Sequence, residues 1–238
     1  MLRNIVELSD NEIRGKKIFL RVDFNVSINN EIVGEDYRIR MAIPTIEYLV
    51  KRGALVILAS HLGKPNHPDP KYSLRPVAAR LSEILRTNKV TFVNDCVGEI
   101  VHNAINKMNN GDILLLENLR FHKGEQDNDI EFSKQLSLLA DIYVNDAFSV
   151  SHRKHASIYG AAKLFDVRLT GLNLKKEIDY LSKVRENPVK PFILVVGGIK
   201  IKDKIGALKN LLPKADKVLL GGVTAFTPGT VIGHHSRF

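Results

Sequence analysis

Short runs of apolar and β-branched residues recur along the chain, separated by longer amphipathic segments. The runs are KIFLRV, ALVILAS, KVTFV, DILLLEN, DIYVND, FILVVGG and KVLLGG. Most of them lack the strict alternation of apolar and polar positions that is typical of a strand with one face in water. We therefore predict strands whose two faces are both covered by other parts of the protein.

Segments with a helical period of apolar positions lie between these runs. They span residues 39–51, 74–85, 98–107, 130–139, 174–184 and 202–211. Strands that alternate with helices are typical of a sheet that carries helices on both sides. The pattern thus predicts an α/β fold with a doubly wound parallel sheet.

The proline-rich segment ENPVKP interrupts this alternation. Its Pro188 and Pro191 follow a predicted helix and precede the run at residues 192–196. Because proline ends helices and is frequent between structural elements, we place a domain boundary here. Beyond it the pattern predicts one strand, one helix and one strand, and then a tail, residues 227–238, with neither period.

Four of the predicted strands are followed by polar and cationic residues. At the end of each run or just after it, these are Arg21, Asp23 and Asn25 for the first run, Ser60, His61 and Lys64 for the second, Glu117, Asn118 and Arg120 for the fourth, and Asn145 and Asp146 for the fifth, just before the segment SHRKHAS. A doubly wound sheet binds ligands at the carboxyl ends of its strands. Asp and Asn can bind a hydroxyl group and Arg binds phosphate, so we expect a ligand with both kinds of group.

The composition agrees with an anionic ligand. The 238 residues include 35 Lys and Arg against 26 Asp and Glu, a net charge of +9. Charge alone leaves nucleic acid, anionic lipid and small phosphorylated metabolites as alternatives. No recognition-helix, zinc-finger or aromatic-stacking motif supports nucleic acid. A single cysteine, Cys96, the lack of a signal-peptide pattern and apolar runs far too short for a membrane helix favour a cytoplasmic protein without a membrane span.

Each charged segment also has a simpler interpretation when taken alone. SHRKHAS alone is more typical of a solvated turn than of a site, and HLGKP and LRFHKGE fit either interpretation equally. His152 and His155 are metal-ligand types, but no third ligand lies near them in the sequence, so we predict no metal there. The shared position of these segments after strands is what favours phosphate binding.

A further glycine-lysine segment, GGIKIKDKIG, follows the strand at residues 192–196. It matches neither the Walker A pattern nor Gly-x-Gly-x-x-Gly. Gly197 and Gly198 would let the backbone approach an anion, and Lys200 and Lys204 lie one helical turn apart. The alternative is a basic amphipathic helix behind a glycine turn.

Taken together and in this order, the motifs closely resemble the phosphoglycerate kinase family. They are RVDFNV, DYRIR, SHLGKP, YSLRPVA, DCVGE, LLLENLRFHKGE, YVNDAF, SHRKHAS, LVVGGIKIKDKI and LLGG, and they cover about residues 3–227. The resemblance implies two Rossmann-like lobes joined by a long helix. It divides the chain into a substrate-binding lobe at residues 1–171, an interdomain helix at 172–187 and an incomplete nucleotide-binding lobe with a non-matching tail at 188–238.

The resemblance also implies an activity: reversible phosphoryl transfer between 1,3-bisphosphoglycerate with ADP and 3-phosphoglycerate with ATP in glycolysis, with Mg²⁺, by a monomeric cytoplasmic transferase. The catalytic residues would be Arg38 and Lys200. The residues implied for 3-phosphoglycerate are Asp23, Phe24, Asn25, Arg38, His61, Leu62, Gly63, Lys64, Arg120, His152 and Arg153, and those for the nucleotide are Gly197, Gly198 and Lys204. No general base is expected, since the attacking oxygen is already ionised at neutral pH.

Three departures from the family pattern limit this expectation. Lys64 stands where the family usually has Arg, and Ser149 and Val150 fill places usually taken by Gly and Thr. The family's second lobe also continues much further than this sequence. We therefore expect this chain alone to be impaired or inactive, with a non-catalytic anion-binding lobe and a basic nucleic-acid-binding protein as the alternatives.

Overall fold

The structure, a computed structural model, describes residues 3–86, 88, 90–198 and 205–221. The chain forms two compact units, residues 1–176 and 177–238. The three-part division at residues 171 and 187 stays a prediction, because compactness alone does not define a functional lobe. None of the helices in the described ranges is long and apolar enough to cross a membrane.

The strands of the first unit build one large sheet and one hairpin. They are β1 (Lys17–Arg21), β2 (Ile28–Asn29), β3 (Ile32–Val33), β4 (Leu55–Ala59), β5 (Val90–Phe92), β6 (Ile113–Leu115), β7 (Ile142–Asn145) and β8 (Val167–Thr170). Six of them form a sheet in the order β5-β6-β4-β1-β7-β8. Every neighbouring pair in that sheet is parallel. The carboxyl ends of the six strands therefore share one edge.

Eight helices precede, separate or follow these strands along the chain in the described ranges. They are α1 (Asp10–Ile13), α2 (Tyr37–Lys51), α3 (Arg75–Leu85), α4 (Glu99–Asn106), α5 (Lys123–Asp127), α6 (Ile130–Ser137), α7 (Ala161–Leu164) and α8 (Leu172–Glu186). Short 3₁₀ turns occupy Ile5–Glu7, Pro70–Tyr72, Leu119–Phe121 and Phe148–Val150, and a π-helical turn occupies Ala156–Gly160. The Asp129 carboxylate caps α6 by accepting a hydrogen bond of 2.8 Å from the Phe132 amide.

Alternate residues of the sheet strands pack into two different hydrophobic clusters. In β1, Ile18 and Leu20 belong to one cluster and Phe19 to the other. In β4, Val56 and Leu58 lie on the first face and Ile57 on the second. The prediction of an α/β fold with strands covered on both faces is confirmed.

Some elements were not predicted from the sequence. The edge strand β8 reads VRLT, and its first two residues are only half-buried or exposed, so it lacks a long apolar run. The hairpin strands β2 and β3 have two residues each, and α1, α5 and α7 have four or five. Such segments are shorter than the stretch of residues over which a helix or strand pattern can be recognised.

The second unit holds a small parallel sheet. Its elements are β9 (Ile193–Val196), α9 (Ile205–Leu211), a 3₁₀ turn (Leu212–Lys214) and β10 (Lys217–Leu220), with β9 beside β10. The predicted strand, helix and strand are confirmed in the described ranges. The predicted helix start at residue 202 and the tail at 227–238 lie outside the described residues.

Candidate functional site

The loops after β1 and β4 meet at the carboxyl edge of the large sheet because these two strands are neighbours. Side chains and backbone join the loops: the Phe24 amide donates to Ser60 Oγ at 2.9 Å, and the Gly63 amide donates to Asn25 Oδ1 at 2.8 Å. Gly63 has φ +60°, and a Cβ there would lie 2.4 Å from Tyr72 Cε1. Glycine is therefore required at this position.

The loop after β6 is tied to the same group by two residues that the sequence placed at this edge. Asn118 Nδ2 donates to the Leu62 carbonyl at 2.8 Å, and Asn118 Oδ1 accepts from the Leu62 amide at 3.1 Å. Glu117 accepts hydrogen bonds from Ser73 Oγ at 2.7 Å and from the Leu74 amide at 2.8 Å. Both side chains therefore hold loops in place at this edge.

A buried arginine and a buried histidine lie close to these loops. Arg21 is 0% exposed and His61 4% exposed, and Arg21 Nη2 lies 3.1 Å from His61 Nδ1. Burial, followed by the charge of Arg21, lowers the pKa of His61 to about 2. The imidazole is thus neutral. Because a guanidinium can only donate, His61 Nδ1 accepts and Nε2 carries the hydrogen.

Arg120 is the second buried cation of this group, after Arg21. Its Nη1 donates to the Gly63 carbonyl, while its Nε is buried and has no hydrogen-bond partner in the part of the chain that the structure describes. Burial, followed by the positive charges of Arg153 and Arg21, lowers the pKa of Arg120. A buried donor without a partner costs free energy, which a bound anion would recover. This side chain is the strongest sign of an anion site.

An acidic residue, Asp23, borders the cationic group. Its Oδ1 accepts a hydrogen bond from the Asn25 amide at 3.0 Å. Its Oδ2 accepts from Arg38 and from Ser149 Oγ, the latter at 2.6 Å. Ser149, which departs from the family pattern, thus binds directly to a predicted site residue.

Of the remaining predicted site residues, Arg153 and His152 lie in the segment after β7, and Lys64 lies in the loop after β4. Arg153 is half-buried, and its charge contributes to the lowered pKa values of His61 and Arg120. His152 and Lys64 are exposed. Val150 is buried, and its carbonyl accepts from the Arg153 amide at 2.9 Å, so this departure from the family fits inside the loop.

The other predicted residues divide into three groups. Phe24 and Leu62 are buried in the core, and their amides bond to Ser60 and Asn118. Gly197 and Gly198 lie in the second unit after β9, and Gly198 has φ +113°. Lys200 and Lys204 lie outside the described residues.

Sequence reasoning missed two buried residues, Glu125 and Ser157. Ser157 Oγ donates to Glu125 Oε1 at 2.7 Å, and the Ser157 amide donates to Glu125 Oε2 at 2.8 Å. Arg21 Nε donates to Ser157 Oγ at 2.9 Å. Both residues belong to the segments LRFHKGE and SHRKHAS, in which only the cations gave a recognisable signal of a site.

One group of metal-ligand types occurs among the described residues: Asp95, Cys96 and His122, whose ligand atoms lie within 4.8 Å of one another. His122 Nε2 lies 2.7 Å from Asp95 Oδ1, and the Cys96 thiol donates to the Glu117 carbonyl at 3.0 Å. Burial raises the pKa of Cys96, which keeps the thiol protonated. In this arrangement the three side chains join the loops after β5 and β6.

Comparison with known proteins shows which family the chain is similar to. A family model described as phosphoglycerate kinase matches residues 8–235. The chain is 48% identical over 232 residues to the phosphoglycerate kinase of Dictyoglomus turgidum, covering 98% of this chain and 58% of that protein. It is 51% identical over 222 residues to the phosphoglycerate kinase of Coprothermobacter proteolyticus, covering 92% of this chain and 56% of that protein.

Solved structures give the same result for the fold. The phosphoglycerate kinase structure from Coxiella burnetii matches with a TM-score of 0.80 at 36% identity, covering 93% of this chain and 55% of that one. The structure from Pyrococcus horikoshii matches with a TM-score of 0.83 at 34% identity, covering 95% and 56%. The chain thus spans a little over half the length of the relatives it matches.

Proposed function

The chain belongs to the phosphoglycerate kinase family, and from this premise we propose that its first unit binds 3-phosphoglycerate, or 1,3-bisphosphoglycerate in the opposite direction. One observation carries the proposal: Arg120 Nε is buried without a partner among the described residues, beside Arg21 and the neutral His61. A phosphate group would supply both the acceptor and the negative charge that these side chains lack.

The edge of the sheet offers separate partners for the two ends of such a ligand. His61, Arg120, His152 and Arg153 would surround the phosphate. Asp23 and Asn25 would bind the hydroxyl and carboxylate end. Asn25 Oδ1 is occupied by the Gly63 amide, which leaves the Nδ2 group as the donor.

Arg38 would face the phosphoryl group during transfer. It is held near the site by its ion pair with Asp23, and its side chain is still 46% exposed. Phosphoryl transfer needs positioning and positive charge rather than a general base when the attacking oxygen is already ionised. A site rich in Arg without a base fits this chemistry.

The nucleotide half of the reaction would use ATP or ADP with Mg²⁺, which supplies charge neutralisation at the phosphates. Gly197 and Gly198 would let the backbone approach those phosphates, with Lys204 beside them and Lys200 supporting the transferred group. Gly198 fits this role because its φ of +113° favours glycine. The reaction of the site in this proposal is the family's phosphoryl transfer, in glycolysis and in either direction, with turnover by this chain alone impaired or absent.

We also propose a monomer in the cytoplasm. The single cysteine, Cys96, supports a reducing compartment. Relatives are named for two different compartments: the phosphoglycerate kinase from Triticum aestivum is called cytosolic, and one from Arabidopsis thaliana is called chloroplastic. Fractionation of the source cells would decide the compartment.

The proposal is tested by isothermal titration calorimetry of the full chain with 3-phosphoglycerate and, separately, with Mg-ADP. We expect saturable binding of 3-phosphoglycerate at one site. Arg38→Ala and Arg153→Ala should each weaken it by about tenfold or more, because each removes a charged hydrogen-bond donor.

A matched control lies two residues from Arg38. Arg40 is on the same helix as Arg38 and pairs with Asp36 at 2.8 Å. Arg40→Ala should change the affinity less than about twofold, as exposed ion pairs contribute little. Binding that is unaffected by both site variants would refute the assignment. Binding of 3-phosphoglycerate together with no turnover in a coupled assay would identify a non-catalytic anion-binding lobe.

A further inference from the structure

A chain of buried hydrogen bonds runs beneath the anion site and joins four segments of the first unit. Glu125 accepts from Ser157 Oγ at 2.7 Å, Ser157 Oγ accepts from Arg21 Nε at 2.9 Å, and Arg21 Nη2 lies 3.1 Å from His61 Nδ1. Glu125, Ser157 and Arg21 are each 0% exposed. The order Glu125, Ser157, Arg21, His61 is called the buried relay below.

The direction of every hydrogen bond in the buried relay is fixed by chemistry. An ionised carboxylate can only accept and a guanidinium can only donate. The single hydroxyl hydrogen of Ser157 therefore goes to Glu125, and its oxygen accepts from Arg21. At the other end His61 Nδ1 must accept, which places the ring hydrogen on Nε2.

The buried relay also provides the negative charge that Arg21 needs. Desolvation by burial lowers the pKa of Arg21, and among the groups that oppose this effect Glu125 is the strongest. The backbone and hydroxyl of Ser157 occupy both oxygens of Glu125. His155 Nδ1 approaches Glu125 Oε1 at 3.8 Å. A buried charge is tolerated only when it is paired and hydrogen-bonded in this way.

We propose that Glu125 and Ser157 are positioning residues for the anion site: acting through Arg21, they hold the His61 ring in the Nε2–H tautomer. The neutral ring can then donate to a phosphate oxygen without adding a fourth positive charge beside Arg21, Arg120 and Arg153. This inference rests on the proposed function, because the phosphate is the ligand proposed above.

The test combines nitrogen-15 NMR of His61 in the ligand-free full chain with calorimetry of 3-phosphoglycerate binding. A His61→Gln variant assigns the His61 signals. In the parent protein we expect one tautomer, with the hydrogen on Nε2. Ser157→Ala removes the hydroxyl that links Glu125 to Arg21, so we expect a mixture of tautomers and an affinity lowered about tenfold.

Ser133→Ala is the matched control. Ser133 is 2% exposed, and its hydroxyl donates to the Asp129 carbonyl of its own helix at 2.6 Å. The control loses the same buried atom outside the relay, and it should keep both the tautomer and the affinity of the parent. A purely structural role of Ser157 would give the two variants the same His61 signals, and that result would overturn the proposal.

A second variant keeps the test decisive if Ser157→Ala does not fold. Arg21→Lys retains the charge but replaces three donor nitrogens with one, so Ser157 and His61 are no longer bridged as before. We expect the same mixture of tautomers, and an unchanged single tautomer would overturn the relay. If the parent does not bind 3-phosphoglycerate but the relay variants still change the His61 signals, the proposed function fails and the relay stands.

Discussion

The two units use the same strand and helix pattern but bury it to different extents. In the first unit a six-stranded parallel sheet has apolar clusters on both faces, and Phe19, Ile57 and Leu114 are fully buried. In the second unit the sheet has two strands in the described ranges, and Val195 is 72% exposed. The same kind of apolar strand therefore contributes very differently to stability in the two places.

This difference explains where charged groups can be buried. Arg21 and Glu125 are fully buried in the first unit, where both oxygens of Glu125 accept hydrogen bonds from Ser157. Packing on both sides of the sheet offsets the desolvation of such a pair. A two-stranded sheet does not supply that support, since small sheets are marginally stable on their own.

The largest expected effect separates the two units directly. Phe19→Ala should lower the free energy of unfolding of the first unit by about 3–5 kcal/mol, because Phe19 is fully buried and its ring stacks 6.0 Å from that of Tyr143. Val195→Ala should change the free energy of unfolding of the second unit by less than about 0.5 kcal/mol. Urea unfolding followed by circular dichroism measures both, and similar losses would contradict the comparison.

A second effect depends on pH and on Asp146, which joins β7 to two helices. Asp146 accepts from Thr45 Oγ1 at 2.6 Å and from the Leu174 amide at 2.8 Å, and burial raises its pKa from 3.8 to about 6. A carboxyl whose pKa is raised on folding stabilises the fold at low pH. That stabilisation is present below about pH 4 and is lost as the pH rises through about 6.

The variant Asp146→Asn tests whether Asp146 lowers the stability as the pH rises. The stability of the parent relative to the variant should fall by an amount on the order of 3 kcal/mol between pH 4 and pH 7, because only the parent must ionise a buried group. Urea unfolding of both proteins across this pH range gives the difference, in which the other titrating groups cancel. A difference that is constant with pH would show that Asp146 keeps an ordinary pKa.

Most of the fold could be predicted from the sequence because its strands are apolar on both faces. Runs such as those at β4 and β6 are typical of a covered parallel sheet, and the helices between them show a clear period. The edge strand β8 could not be found in this way, since Arg168 is exposed in its centre. Pattern alone identifies strands by burial, and an edge strand is only partly buried.

The positions of the basic residues at the candidate site could be predicted from the sequence, but the residues that hold them in place could not. Loop position after the strands indicated Arg120 and His61, which the structure buries side by side with Arg21. Glu125 and Ser157 gave no such signal, because their role depends on distances between residues far apart in the chain. The sequence places Asn118 at the carboxyl edge of the sheet, but its hydrogen bond to Leu62 depends on how two loops pack together.

The smallest expected effect concerns Ser149, which is exposed and donates to Asp23 Oδ2 at 2.6 Å. A ligand hydroxyl that binds Asp23 would compete with this hydrogen bond. Ser149→Ala should therefore strengthen 3-phosphoglycerate binding by about threefold, since an exposed hydrogen bond is worth less than about 1 kcal/mol. Ser151→Ala is the control in the same loop, because its hydroxyl donates to the Ala147 carbonyl at 2.9 Å. If calorimetry shows weaker binding for Ser149→Ala, Ser149 orients Asp23 for the ligand instead of competing with it.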